Sequence, residues 1–311
     1  MAQRSGVAVI GSMTADVTAI AHQLPRRGET VLGHECTLIS GGKGSNQAVM
    51  ASRMGVPTWM VGCVGNDTFR NVVLDSLQAN NVNATFVDVL DGEKTGIAHI
   101  RVDASANNDI VIVPLANART GRPKVDEFFA AGVPVNTVLL QLEIPVETVV
   151  YAAKKSKELG ITVIFDPAPA VALPDDIYAD VDIVTPNETE ASMLTGVEVT
   201  DLESAQAAAQ VLLSKGVKIA IITLGEKGVL IAGSDSTKHI PAYKVNAIDT
   251  TAAGDAFTGT LGACISEGMS LTEAVKYAMA AGALAVTKVG AQSSLPLLDD
   301  VKEFLNGGNR Q

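Results

Sequence analysis

The feature that most constrains this chain is an alternation of short, β-branched apolar runs with longer segments of helical spacing. The runs occupy residues 7–10, 58–64, 137–142, 162–165, 183–184 and 218–224. Runs of this kind read as strands covered on both faces, the pattern of a mostly parallel sheet. Between them, residues 46–54, 68–79, 146–159, 202–215 and 271–288 carry apolar side chains at helical spacing. Strand followed by helix implies βαβ units with right-handed crossovers, and so a three-layer α/β/α sandwich.

Residues 29–40 and 96–113 break the rhythm. Both are rich in β-branched residues and lack a helix-length apolar period, so they read as strands of a separate small sheet. In the second, Ala98, Ile100 and Val102 alternate with Ile97, His99 and Arg101, which leaves one wholly apolar face. A βαβ stretch separates the two regions. The small sheet is therefore expected as a lid set into one unit spanning 1–311, through insertions at about 14–40 and 95–116. No repeat of 20 to 50 residues and no biased linker divides the chain. Residues 306–311 read as an irregular tail.

Composition narrows the partners. A net charge of −11 opposes attraction to nucleic acid or an anionic membrane. Cys36, Cys63 and Cys264 show neither zinc nor disulfide spacing, which fits a reducing cytoplasm. No apolar run is long enough to span a bilayer, and residues 1–11 lack a signal-type apolar core.

The chemistry concentrates in Asp249-Thr-Thr-Ala-Ala-Gly-Asp255-Ala-Phe-Thr-Gly259, just ahead of an apolar helical pattern over 256–265. Small residues at a helix start let its free N–H groups approach a phosphate, where the macrodipole adds positive charge. Ala252, Ala253 and Gly254 would form that anion hole. A first-turn carboxylate such as Asp255 also stabilises any helix start, but the surrounding Thr-Thr-Ala-Ala-Gly is too specific for ordinary capping. The segment strongly resembles the C-terminal signature of the ribokinase family of carbohydrate kinases, often called the PfkB family.

Gly41-Gly-Lys-Gly-Ser-Asn46-Gln-Ala48 resembles the same family's N-terminal signature. A Walker A loop is excluded, because it needs Gly where Thr37 stands and Ser or Thr where Gly44 stands. A dinucleotide fingerprint is excluded by Gln47 in place of its third Gly.

The resemblance runs over nearly the whole chain and implies roles residue by residue. Thr14, Asp16, Gly42, Lys43, Asn46 and Glu143 would hold the sugar, and Asp255 would be the catalytic base. Asn187 and Glu190, in Asn187-Glu-Thr-Glu190, would serve the Mg²⁺–phosphate region, with Glu190 acting through water. Thr223, Gly225, Lys227 and Gly228 would border the nucleotide, although that stretch alone also reads as a hairpin turn with a solvated lysine. Met279 would be either an adenine contact or core. Asp249, Thr251, Ala285, Lys288, Gly290 and Ser294 would surround a monovalent cation such as K⁺, mostly through backbone oxygens.

The implied activity is transfer of the γ-phosphate of ATP to a sugar hydroxyl, first of all the 5-hydroxyl of D-ribose. Thr14 departs from the Asn usual two residues before the sugar-binding Asp, so 2-deoxyribose, another pentose or a nucleoside remains open. A non-catalytic sugar or nucleotide sensor would need the base or the anion hole to be lost, and both are intact. The resemblance also implies a homodimer paired through the lid.

Overall fold

The computed structural model describes residues 6–105, 107–234 and 236–307. The first half of the chain runs β1 (Gly6–Ile10), β2 (Thr14–Ala21), β3 (Gly33–Gly41), α1 (Lys43–Arg53), β4 (Thr58–Gly65), α2 (Phe69–Ala79), β5 (Asn83–Leu90), β6 (Gly96–Val102), β7 (Asn108–Val113), α3 (Arg122–Ala130), β8 (Val135–Leu140) and α4 (Val146–Glu158). The second half runs β9 (Thr162–Phe165), β10 (Ile183–Val184), α5 (Glu188–Thr195), α6 (Leu202–Ser214), β11 (Ile219–Thr223), β12 (Val229–Gly233), β13 (Thr237–Ile240), α7 (Ala253–Ser266), α8 (Leu271–Ala285) and α9 (Leu298–Gly307).

Among the described residues the strands form two sheets. The larger has the order β13-β12-β11-β10-β9-β8-β1-β4-β5. It is parallel from β11 to β5, with β12 and β13 added antiparallel. The pleat explains why its runs are apolar throughout. In β1, Val7 and Val9 enter a core shared with α1, α7 and α8. Ala8 and Ile10 point the other way, into a core shared with α3, α4 and α6. This is the expected three-layer sandwich.

Strand order also locates the site. From β1 the chain progresses outward through β4 and β5, then returns to the opposite side of β1 and progresses through β8 to β11. The order therefore reverses between β1 and β8. Open α/β sheets bind ligands at the carboxyl ends of their strands beside such a reversal.

The smaller sheet has the order β3-β2-β6-β7, with β2 and β6 parallel and the outer pairs antiparallel. Both insertions are rooted beside the reversal. β2 leaves just after β1, and β3 ends at Gly41, directly before α1. Asn117 clamps the roots together: its amide oxygen accepts from the Met13 N–H (2.9 Å) and its NH₂ donates to the Met13 carbonyl (2.8 Å).

Several expected boundaries shift, each for a local reason. The strand expected from residue 29 begins at Gly33. The strand expected to reach Leu142 stops at Leu140, because the Gln141 side chain turns inward to Gln47 and the Leu142 amide donates to the Ala168 carbonyl (2.9 Å). The helix expected to reach Lys288 ends at Ala285, and the Val286 carbonyl instead accepts from Ile248 and Asp249. The helix expected from Asn46 already begins at Lys43. Residues 306 and 307 close α9, and 308–311 lie outside the described residues.

Candidate active site

Helix α7 begins at Ala253 without a side-chain cap, and Ala252 before it is held in the left-handed region at φ 59°. That conformation strains any residue with a Cβ, and such strain persists only where the surroundings impose it. Among the described residues the amides of Ala252, Gly254 and Asp255 have no protein acceptor. The Ala253 amide is engaged, donating to the Thr250 carbonyl at 3.3 Å. The free donors thus include Ala252 and Gly254 of the expected 252–254 and extend to Asp255. Free donors at a helix start suit an anionic ligand.

Asp255 lies in this first turn with only 4% of its surface exposed. Two amides of α1 hold it: Asn46 Nδ2 donates to Oδ2 (2.8 Å) and Gln47 Nε2 to Oδ1 (3.1 Å). They reach it because Gly259 lets the helices touch; a Cβ there would stand 2.7 Å from the Gln47 carbonyl oxygen and from Met50 Cβ. The start of α1 is set the same way. A Cβ on Gly44 would meet the Ser12 backbone at 2.5 Å, so only glycine lets α1 start against the loop after β1.

That loop and β2 bring Thr14 and Asp16, both buried. Thr14 Oγ1 donates to Asp16 Oδ1 at 2.6 Å. Burial pushes the Asp16 carboxyl up to about 6; the Thr14 bond opposes the rise, and the charges of Glu143 and Asp255 add to it. Glu143 is partly spoken for, since its Oε2 accepts from Ser12 Oγ (2.5 Å) and from the Lys43 backbone N–H (2.9 Å). It therefore ties the loop after β1 to the start of α1. Burial lowers the pKa of the Lys43 ammonium, but the charges of Asp166, Asp255, Glu143 and Glu190 outweigh it and leave the lysine more basic than usual. Asn46 Oδ1 is buried without a partner among the described residues, an acceptor available to a hydroxyl.

One carboxylate escaped the sequence reading. Asp166 follows β9, is buried, and accepts from Gln47 Nε2 at 2.8 Å. Burial pushes its carboxyl up to about 7; Lys43 pulls against this, and Asp255 and Glu190 add to it. The signal was present, because a charged residue closing a buried strand needs a reason, the same reasoning that selected Glu143.

On the opposite side Asn187 and Glu190 form a capping box at the start of α5: Asn187 Oδ1 accepts from the Glu190 N–H and Glu190 Oε2 from the Asn187 N–H, both at 2.8 Å. Asn187 bridges to Thr223 at the end of β11. Gly225 and Gly228 turn the chain into β12, so the stretch is a hairpin as well as a strand-end loop. Lys227 Nζ donates to Glu188 (3.2 Å) and to the Thr200 carbonyl (2.8 Å). Met279 is buried in the core.

Of the residues expected around a cation, Thr251 and Gly290 bond directly to Asp249. Asp249 Oδ1 accepts from the N–H and hydroxyl of Thr251 (2.9 and 2.6 Å), and Oδ2 from the Gly290 N–H (2.8 Å). Ala285 and Ser294 make no hydrogen bond to it; the Ala285 carbonyl accepts from Lys288 (3.2 Å) and Ser294 Oγ donates to Ala291 (2.8 Å).

A lidded crevice at a strand-order reversal, with a buried carboxylate at the uncapped start of a helix, defines a phosphotransferase that acts on a hydroxyl. Comparison with known proteins gives the family: residues 4–298 match the model of the pfkB family carbohydrate kinase. A ribokinase of Haemophilus influenzae is 39% identical over 302 residues, covering 97% of this chain and 99% of the relative. A deoxyribokinase of Salmonella typhimurium is 36% identical, covering 96% and 98%. The Arabidopsis thaliana ribokinase complexed with ribose and ATP superposes with a TM-score of 0.90 at 30% identity, covering 98% of this chain and 99% of that one. This chain belongs to the pfkB family of carbohydrate kinases.

Proposed function

We propose that this chain transfers the γ-phosphate of ATP to the 5-hydroxyl of D-ribose, with Asp255 as the base. One observation carries the assignment: a buried carboxylate, held by two amides, stands beside unpaired helix N–H groups at the foot of the crevice that also holds Asp16 and Asn46. Phosphoryl transfer needs placement and charge stabilisation more than covalent chemistry. Asp255 accepts the proton of the attacking hydroxyl, and the amides of Gly254 and Asp255 receive phosphoryl oxygens. Asp16, Asn46 and Lys43 orient the sugar, and closure of the lid excludes water.

Among the described residues no cage of three His, Cys, Asp or Glu side chains forms. The acidic oxygens present fit Mg²⁺ carried on the phosphates of ATP, with Glu190 contributing through water. Such an ion neutralises charge on the phosphates when bound. Asp249, Thr251 and Gly290 supply hard oxygens near the start of α7, which suit a monovalent cation.

Thr14 decides the sugar within this reading. Its hydroxyl is spent on Asp16, and a deoxyribokinase is 36% identical to this chain. We expect kcat/KM to favour D-ribose over 2-deoxyribose only modestly, and Thr14→Asn to raise that ratio by about tenfold or more, because a site that pairs a hydroxyl rejects analogues lacking it. An unchanged ratio would show that Thr14 does not read the sugar, and a parent enzyme that prefers 2-deoxyribose overturns the ribose assignment.

The lid supports pairing with a second copy. Ile110, Val111, Ile112 and Val113 of its edge strand β7 are all exposed, an arrangement that invites strand-to-strand contact. Sedimentation at micromolar concentration is expected to read twice the chain mass, and a single-chain mass overturns the dimer. Cys36, Cys63 and Cys264 are unpaired, which supports a reducing cytoplasm. No helix among the described residues is long and apolar enough to cross a membrane.

A further inference from the structure

Behind Asp255 lies a chain of buried amides, of which only the Gln47 contact to Asp255 has been used above. Gln141 Nε2 donates to Gln47 Oε1 at 2.6 Å, and Gln47 Nε2 donates to both Asp255 Oδ1 (3.1 Å) and Asp166 Oδ2 (2.8 Å). Gln47 and Gln141 are wholly buried. The polarity of this chain follows from chemistry. As the base, Asp255 is ionised and only accepts, so the Gln47 NH₂ must face it; the same NH₂ then reaches Asp166 and the Gln47 oxygen faces Gln141. Gln141 must then present its own NH₂, which leaves Gln141 Oε1 pressed against Gly11 without a partner. Leaving a buried acceptor without a partner is unfavourable, because its hydration is lost and not replaced. Here that cost is the consequence of holding the Gln47 amide in one orientation.

We propose that Gln47, oriented from behind by Gln141, is a positioning residue that holds the Asp255 carboxylate toward the acceptor hydroxyl and divides its two N–H donors between Asp255 and Asp166. This rests on Asp255 being the base. Asn46 secures the other carboxylate oxygen, so the two amides together fix the plane of the carboxylate, and Asn46 alone leaves it free to rotate. Asp166 receives the second Gln47 hydrogen and stops the amide from swinging off Asp255. The charged groups facing this cluster are Lys43, Asp16, Glu143, Asp166 and Glu190; Glu273 and Lys276 of α8 pair with each other beside Tyr243.

The test uses Gln47→Met, which keeps the volume and removes both donors, and Gln141→Met, which removes only the anchor. Steady-state rates are measured with D-ribose and ATP from pH 5 to 9. Gln47→Met is expected to lower kcat by about 10- to 100-fold, the scale of a misplaced reacting group, while both KM values stay within about threefold. Its acid limb in kcat is expected to move to higher pH, since a carboxylate that loses a donor is protonated more readily. Gln141→Met is expected to change both readouts in the same direction by less. Combined with Asp255→Asn, Gln47→Met is expected to add little further loss, because the two act as a unit.

A packing role alone would lower Tm and leave the acid limb in place. An inactive Asp255→Asn beside a Gln47→Met enzyme of parental kcat and pH profile overturns this inference and leaves the base assignment standing. A fully active Asp255→Asn overturns the base assignment itself. If Gln47→Met does not fold, Gln141→Met decides through the same two readouts, and an unchanged kcat and acid limb there overturns the proposal.

Discussion

Asp255→Asn is expected to lower kcat by at least about 10²-fold, the low end of general-base contributions, with the fold and ATP binding retained. The geometry explains why so small a change can be separated from unfolding. Both carboxylate oxygens of Asp255 accept from amides, so an Asn must turn its NH₂ toward either Asn46 or Gln47. Gln47 cannot reverse, because its NH₂ also serves Asp166. Asn46 can, because its own oxygen has no partner, and turning its amide over offers an acceptor to the new side chain. The variant thereby keeps its hydrogen bonds within the protein and loses its basicity, while the turned Asn46 offers the sugar an N–H in place of its oxygen. ATP affinity measured by titration should stay within a few-fold, since the N–H groups at the start of α7 are untouched. A folded variant with near-parental turnover would falsify the assignment of the base.

The second large effect is on stability. Asp166 is buried, and its carboxyl rises from 3.8 to about 7, first through burial. A carboxylate whose folded pKa is raised favours the folded state at low pH. Its contribution is complete below about 3.8 and is lost as pH rises through about 7. At about 1.4 kcal/mol per unit, roughly 4 kcal/mol of stability disappears across that window. Asp16, raised to about 6, acts with the same sign. Thermal unfolding without nucleotide or metal is therefore expected to give a higher Tm at pH 5 than at pH 8. Asp166→Asn keeps an acceptor for Gln47 and removes the charge. It should raise Tm by several degrees at pH 8 and by about a third to a half as much at pH 5. Equal gains at the two pH values would show that ionisation of Asp166 is not the cause. A site that holds Asp16, Asp166 and Asp255 around one lysine is thus less stable than the fold around it allows, a common cost of function.

Periodicity and local chemistry made much of this protein legible. The β-branched runs fall on β1, β4, β8, β9, β10 and β11, and every helical segment marked out contains a helix. Those signals are local, because a strand buried on both faces has to be apolar at every position. Edge strands β5 and β13 wet one or both faces and carry no such signal. Asp255 and Asn46 were marked out by the two glycine-containing segments that resemble the family's signatures, and the structure brings their side chains together. The place of Lys227 was left open because a glycine turn does not show where its lysine points, and here α5 offers Glu188.

By itself the sequence determined the layering, the presence of a lid, the order of the sheet's apolar strands along the chain and the two helix starts that carry the chemistry. Each of these depends on residues within a few positions of one another. Only the tertiary structure decided that Gln141, Gln47, Asp166 and Asp255, from four separate segments, form one hydrogen-bonded chain with a single polarity. The reason is physical: an amide has a donor end and an acceptor end, and which end faces which neighbour is set by partners that can be more than 200 residues away in the chain.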